Sequence, residues 1–261
     1  MPEASPFSLR GKVVVQFGGT GLLGRALVSA LRQANATLIV ASRDRAALQK
    51  AIGDEQPGDT AVEVEQVDIA DESSLCRLRD RVLAIHGRID GVVFNAVSRP
   101  MRSFGDDLNA WKASMETNAT GMFATSRVFG DAMALNKSGS LVHIASQMGL
   151  VGMQPWLYGD APVLPPPDYF FHKGGMINLT RYLASHYGAA NVRVNVVSPG
   201  GIYNPNSPPS ADFLHRYAKM TMLGRMAHAE EIGCSVIFLL SNAATYITGA
   251  NLSVDGGYTA K

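Results

Sequence analysis

The chain has 261 residues, 46% of them apolar and 17% charged, and its 23 Lys+Arg against 22 Asp+Glu leave a formal charge of +1. That balance excludes a dedicated nucleic-acid or anionic-membrane binder, because both neutralise phosphates with a basic surplus. The length suffices for one domain, 1–261, with a core that needs no staples.

Two cysteines, Cys76 and Cys234, build neither a disulfide framework nor a Cys-rich zinc site, which points to a reducing compartment. Residues 1–10 lack a signal-peptide pattern, and no window approaches the roughly 20 apolar residues of a spanning helix. A soluble, cytoplasmic protein without a membrane partner is the expectation.

In chain order, short β-branched runs at 12–17, 37–41, 62–67, 91–94, 140–145 and 192–197 read as buried parallel strands. Between them, 22–34, 45–52, 72–86, 108–135 and 168–187 carry helical spacing and enough length for crossovers. A helix at 229–240 and a short strand at 252–254 follow an irregular stretch that begins at Gly200. The repeated strand–helix order predicts an α/β fold with a doubly wound sheet. The Pro-rich pieces 162–167 and 205–209 lie in loops and do not separate domains.

The first strand runs into Gly18-Gly19-Thr20-Gly21-Leu22-Leu23-Gly24, so glycines sit where a strand becomes a helix. Glycine accepts positive φ and lets the backbone approach a pyrophosphate, whose charge is met by free amides at the helix start. Gly18, Thr20, Gly21, Leu23 and Gly24 are therefore candidate phosphate-loop residues.

Further along, Tyr169 and Lys173 stand four apart on one helix and share a face. An ammonium beside a phenol favours the phenolate, which makes the pair a proton donor and acceptor. Such spacing is common on solvated faces, and what distinguishes this pair is Ser146. That serine follows a strand's carboxyl end, where open α/β sheets place their ligands.

With these motifs in order, the chain from Gly11 to Tyr258 resembles the short-chain dehydrogenase/reductase family. The glycine turn is similar to the family's cofactor loop. Asp68 in Val67-Asp68-Ile69 resembles its adenine contact, and Asn95-Ala96-Val97 its Asn-Ala-Gly motif. Asn118 in Thr117-Asn118-Ala119-Thr120-Gly121, with Ser146, Tyr169 and Lys173, resembles its catalytic set. Pro199-Gly200 and Ile202 resemble the segment that seats the nicotinamide, and Val254-Asp255-Gly256-Gly257 the closing strand.

The resemblance implies a single-domain Rossmann fold with a seven-stranded parallel sheet and helices on both faces. It also implies roles. Tyr169 exchanges a proton with the substrate oxygen and Ser146 hydrogen-bonds that oxygen. Lys173 binds the nicotinamide ribose and favours the tyrosinate, while Asn118 holds a water that relays protons to the lysine.

Four departures stand out. Leu22 occupies a common glycine position, although Gly18, Gly21 and Gly24 keep a three-residue spacing. Val97 replaces the last glycine of Asn-Ala-Gly, and Asn204 stands where a threonine often contacts the carboxamide. The segment 147–167 is longer than the family norm.

That segment carries Leu150, Val151, Met153, Trp156, Leu157, Tyr158, Val163 and Leu164 before three prolines. So much apolar surface predicts an ordered wall over the substrate, with Trp156 and Tyr158 joining Ser146 and Tyr169 as substrate contacts. Packing against the core or a neighbouring subunit is the alternative. A second substrate-side loop region is expected at 200–224.

Ser42-Arg43 ends the second strand, where NAD binders usually carry an acid and an arginine accommodates a 2′-phosphate, so NADP(H) is favoured over NAD(H). No histidine shows metal-ligand spacing, no metal is proposed, and His143 reads as a satisfied core residue.

The expected reaction is hydride transfer between nicotinamide and a secondary alcohol or ketone, sugar-like or polyol in kind. The alternatives are reduction of a 3-oxoacyl group on a carrier protein, or a silent NAD(P)-binding regulator. Helices 108–135 and 168–187 carry apolar residues beyond one face, among them Phe170, Phe171, Met176 and Ile177. Since similar proteins pair these helices across two-fold axes, a homotetramer is expected, with a homodimer as fallback.

Overall fold

Val, Ile and Leu fill the central strands on both faces, so these strands are buried from two sides and pair in parallel. The computed structural model describes residues 5–53, 62–159 and 164–261. Among these, β1 (Val13–Phe17), β2 (Thr37–Ser42), β3 (Val62–Gln66), β4 (Gly91–Phe94), β5 (Gly139–Ile144), β6 (Val192–Pro199) and β7 (Asn251–Val254) form one sheet. Its order is β3-β2-β1-β4-β5-β6-β7, and every pairing is parallel. The doubly wound fold read from the sequence is the one observed.

Side chains of β1 alternate between two apolar layers: Val13, Val15 and Phe17 join one, Val14 the other. The first layer meets α3 (Glu72–His86), α5 (Met122–Leu135) and α7 (Pro167–Tyr187). In it the Phe17 ring packs edge-on to Phe129 at 5.2 Å. The second layer meets α1 (Leu22–Gln33), α2 (Arg45–Gly53) and α9 (Ala229–Leu240). Strand order reverses between β1 and β4, so a crevice opens at their carboxyl ends, the switch point where such sheets bind ligands.

Three expectations are corrected. The helix read as continuous over 108–135 is α4 (Leu108–Met115), a π-helical turn over Glu116–Gly121, and α5. The turn widens where Asn118 takes partners outside the helix: its Oδ1 accepts from Ser98 N (2.8 Å) and its Nδ2 donates to Ser98 O (2.8 Å).

The region 200–224, expected as loop, contains α8 (Ala211–Met220), started by Ser210, whose Oγ accepts from Phe213 N at 3.2 Å. Apolar Phe213, Tyr217 and Met220 recur at helical spacing and pack with Leu157 and Tyr258. Lastly, Met176 and Ile177 are core residues, not surface; it is Phe171 that lies 60% exposed.

Within 147–167, a 3₁₀ turn at Gln147–Gly149 and a single helical turn, α6 (Pro155–Tyr158), are formed. Residues 160–163, Val163 among them, lie outside the described residues. Leu157 is fully buried under α8, and its carbonyl accepts from Arg216 Nε at 3.0 Å.

His143 is the satisfied core histidine expected: its ring nitrogens meet Ser126 Oγ at 2.9 Å and Thr180 Oγ1 at 2.7 Å. Burial, then the Lys173 charge, pushes it down to about 3. Among the described residues no helix is long and apolar enough to cross a membrane.

Candidate functional site

The glycine turn works by close approach. Gly18 has φ +86°, and a Cβ there would lie 2.9 Å from the Ala96 backbone. A Cβ on Gly24 would meet the Gly18 carbonyl oxygen at 2.8 Å. Only glycine lets α1 start this near to the end of β1.

Asn95 Nδ2 donates to Gly18 O at 3.0 Å, tying β4 to the turn. Gln16, which the sequence reading passed over, is fully buried in β1, and its Nε2 donates to Gly24 O (2.9 Å) and Gly18 O (3.1 Å). A buried glutamine in a Val-rich strand beside a glycine turn is the signal that finds it.

The first turn of α1 carries no acid, so its positive end is left for an anion. Thr20 and the N-cap Gly21 lead into this turn, and Leu23 lies on it. Ser42 and Arg43 close β2 beside it, Arg43 exposed and Ser42 half-buried. Asp68 is exposed after β3 with Oδ1 accepting from Ala70 N at 3.0 Å, and Ile69 is buried behind it. A cradle that a single Cβ would fill, with cations at its rim, fits a dinucleotide.

Val97 has an ordinary backbone and is exposed, so nothing at that position requires the missing glycine.

Across the switch point, Ser146 follows β5 with its Oγ accepting from Met148 N at 3.2 Å. Lys173 is 4% exposed; its Nζ donates to Ile144 O at 2.6 Å and lies 5.8 Å from the Tyr169 ring centre. Burial, and after it the Arg99 charge, holds Lys173 down to about 7.

Asn118 is buried, and besides Ser98 its Nδ2 reaches Ser114 Oγ at 2.9 Å. Ser114 Oγ in turn donates to Asp168 Oδ2, so the π turn and the start of α7 share one polar chain.

Pro199 ends β6, and Gly200 N donates to Val254 O at 2.9 Å. Ile202 bridges to Ala227. Asn204 spends its Oδ1 on Asn206 N at 3.1 Å. The Tyr217 hydroxyl accepts from Gly201 N and donates to Gln147 Oε1 at 3.2 Å, joining α8 to both rims of the crevice.

Ser146, Tyr169, Gly200 and Ile202 line one cleft of about 460 Å³. Tyr158 lines it too, as do Pro165 and Pro166, whereas Trp156 lies outside the lining and is 53% exposed. The lining of this cleft thus includes Tyr158, one of the two aromatic residues expected to contact the substrate, and not Trp156.

Three lining or flanking groups were not singled out from sequence. Arg99 stands over the Tyr169 ring at 5.1 Å. Asp168 and His172 are buried with Asp168 Oδ1 and both His172 ring nitrogens unpartnered among the described residues. Their sequence signal is adjacency alone, one residue before Tyr169 and one before Lys173. Among the described residues, no group of three or more His, Cys, Asp or Glu is placed to hold a metal.

A dinucleotide cradle opening onto a tyrosine with a buried lysine beneath it is the equipment of an oxidoreductase that passes hydride through a nicotinamide. The chain belongs to the short-chain dehydrogenase/reductase family. The family model described as enoyl-(acyl carrier protein) reductase matches residues 21–259.

It is 32% identical over 252 residues to cis-4-hydroxycyclohexanecarboxylate dehydrogenase of Sinomonas cyclohexanicum, covering 95% of this chain and 97% of that one. It is 29% identical to the L-tagatose-forming galactitol 2-dehydrogenase of Cereibacter sphaeroides, covering 99% of both. A short-chain dehydrogenase from Leptospira borgpetersenii with bound NAD+ superposes with a TM-score of 0.84 at 25% identity, covering 99% of this chain and 97% of that one. The protein is accordingly a dehydrogenase/reductase acting on CH–OH groups.

Proposed function

We propose that this enzyme interconverts a secondary alcohol and its ketone with NADP(H), on a sugar-like or polyol substrate. The observation that carries the reading is the single cleft shared by Ser146 and Tyr169, with Lys173 buried beneath. A dinucleotide held by the cradle would supply the hydride in reduction and accept it in oxidation through its nicotinamide.

The chain's own groups handle the proton. The Tyr169 hydroxyl gives it to the carbonyl oxygen in reduction and takes it back in oxidation, while Ser146 Oγ donates a hydrogen bond to the same oxygen. Lys173, buried beneath the cleft, would hold the ribose hydroxyls of the cofactor. Asn118 has both side-chain atoms committed to Ser98 and Ser114, so the relay water is held by its main chain.

NADP(H) is preferred because Arg43 and Arg45 flank the start of α2, where the helix dipole disfavours cations and a 2′-phosphate satisfies them. The relatives named for galactitol and for a hydroxylated ring acid act on secondary alcohols, which supports the substrate class.

Exposed Phe171 pairs with Trp111 at 5.3 Å across α7 and α4, and this apolar face is what a homotetramer would cover. The free cysteines suit the cytoplasm.

The test is a panel of polyols, ketoses and 3-oxoacyl thioesters read by absorbance of reduced cofactor. Oxidation of polyols with NADP+ is expected. Turnover confined to the thioesters would replace this reading with carrier-bound acyl reduction.

A further inference from the structure

Among the described residues, Arg99 is the only cationic side chain lining the cleft, since Lys173 lies beneath its floor. It sits in a pinned loop. Ser98, its neighbour, exchanges both backbone hydrogen bonds with Asn118 at 2.8 Å, and Pro100 on the other side holds Arg99 to extended backbone. The guanidinium is thereby delivered over the Tyr169 ring, 5.1 Å from its centre, within reach of whatever Tyr169 and Ser146 hold.

No carboxylate among the described residues forms an ion pair with Arg99. Asp168 shares the cleft, but it is buried and turned to Ser114. Met101, Met148, Pro165, Pro166 and Ile202 supply the apolar part of the wall, and Arg99 is exposed at its mouth, where an incoming anion can reach it. A planar fork of donors beside a reacting carbinol matches a carboxylate better than a neutral hydroxyl.

From this placement we infer that Arg99 anchors a carboxylate on the substrate, so the preferred alcohol is a hydroxy acid whose acid group lies a few bonds from the reacting carbon. The inference rests on the proposed alcohol chemistry at this same cleft. It narrows the polyol class to its acidic members.

The experiment pairs each acid with a neutral counterpart: gluconate with sorbitol, and 3-hydroxybutyrate with its methyl ester. Wild type, Arg99→Gln and Arg99→Lys are compared by calorimetric titration in the presence of NADP+ and by steady-state kinetics.

Wild type is expected to bind the acid of each pair more tightly. Arg99→Gln should weaken the acids by about 10- to 100-fold in Kd and KM while neutral partners move less than about two-fold, and Arg99→Lys should fall between. A merely structural arginine would move both members alike. Equal affinity of wild type for acid and neutral members overturns the inference whether or not the variants fold, as does an equal loss for both members in Arg99→Gln. Acids bound through Arg99 with no reduced cofactor formed leave the anchor standing and remove the proposed reaction.

Discussion

The two sides of the crevice are built from different materials. On the cofactor side, between β1, β2 and β4, the working surface is backbone: the Gly18–Gly24 turn, the Ala96 main chain pressed against it, and the amides that open α1. On the substrate side, the surface is side chain: Arg99, Ser146, Tyr158, Tyr169 and the prolines before α7. Backbone sites tolerate little change in residue type, because what matters is the absence of a Cβ. Side-chain sites keep their scaffold when one group is exchanged, so specificity is free to vary there while the fold is kept.

The largest effect should come from the one substrate-side group on which the proton transfer depends. Tyr169→Phe removes the hydroxyl and keeps the ring that Arg99 and His172 pack against. Turnover is expected to fall by about 10²- to 10⁴-fold with cofactor affinity intact. Kinetics on a confirmed substrate, with a fluorescence titration of the cofactor, check both halves. Near-normal turnover would mean that the chemistry does not pass through this side.

Arg43 is the exception on the backbone side, a side chain at the rim of a main-chain cradle. Arg43→Ala should weaken NADP(H) by about 10- to 100-fold, the value of a charge-assisted contact, and leave NAD(H) nearly unchanged. Fluorescence titration of both cofactors measures this. Equal affinity of the parent protein for the two would transfer the whole of cofactor recognition to the backbone.

The same division explains what could be read from sequence. Backbone features leave local signatures, and the glycine turn and the strands were legible because glycine spacing and β-branched runs are contiguous in the chain. The candidate catalytic set came from the resemblance alone, and the structure brings Ser146 and Tyr169 into one cleft.

Arg99, Asp168 and Gln16 were not legible, because their meaning lies in what stands opposite them across the fold. Trp156 and Tyr158 looked alike as aromatic residues two apart. What separates them is the partner across the fold: Tyr158 packs on Phe213 of α8 at 5.8 Å, whereas Trp156 is exposed. The π turn was invisible because Asn118 draws its partners from Ser98, 20 residues away. The helix α8 carries a readable stripe at Phe213, Tyr217 and Met220, but the neighbouring prolines masked it.

Beneath both sides lie two histidines kept neutral by burial. Burial and the Lys173 charge hold His143 and His172 each down to about 3, with Arg99 adding to the effect on His172. In the unfolded chain a histidine binds its proton near the ordinary value of 6.5. The unfolded state therefore holds more protons than the folded state between those limits.

Their contribution to stability is fully present above about 6.5, and it is lost as pH falls through the window toward 3. Each histidine adds about 1.4 kcal/mol of lost stability per pH unit. Urea unfolding at pH 7, 5.5 and 4.5 should show the loss set in below about 6.5 and approach this slope between the last two points, and His172→Asn should remove the share of one proton. An unchanged slope in that variant would show that His172 takes up its proton as readily in the native protein as in the unfolded chain.

The smallest effect tests how the side-chain half is held together. Tyr217 is buried in α8, and its hydroxyl accepts from Gly201 N on the nicotinamide-side rim while donating to Gln147 Oε1 at 3.2 Å, one residue past Ser146. Its ring stacks on Phe213 at 6.0 Å and meets Tyr258 at 5.7 Å. Tyr217→Phe keeps that packing and deletes only the clamp.

A typical hydrogen bond contributes about 1 kcal/mol net, and the Gly201 amide left without its partner is only part-buried, so the loss stays near that value. The melting temperature should therefore fall by a few degrees. If α8 holds the two rims in register, KM for the substrate should rise by about five-fold with cofactor affinity unchanged, because the cradle rests on backbone that this hydroxyl does not touch. A fall in melting temperature with KM unaltered would instead show that the 200–201 rim keeps its place through β6 and β7 alone, making the substrate side as backbone-determined as the cofactor side.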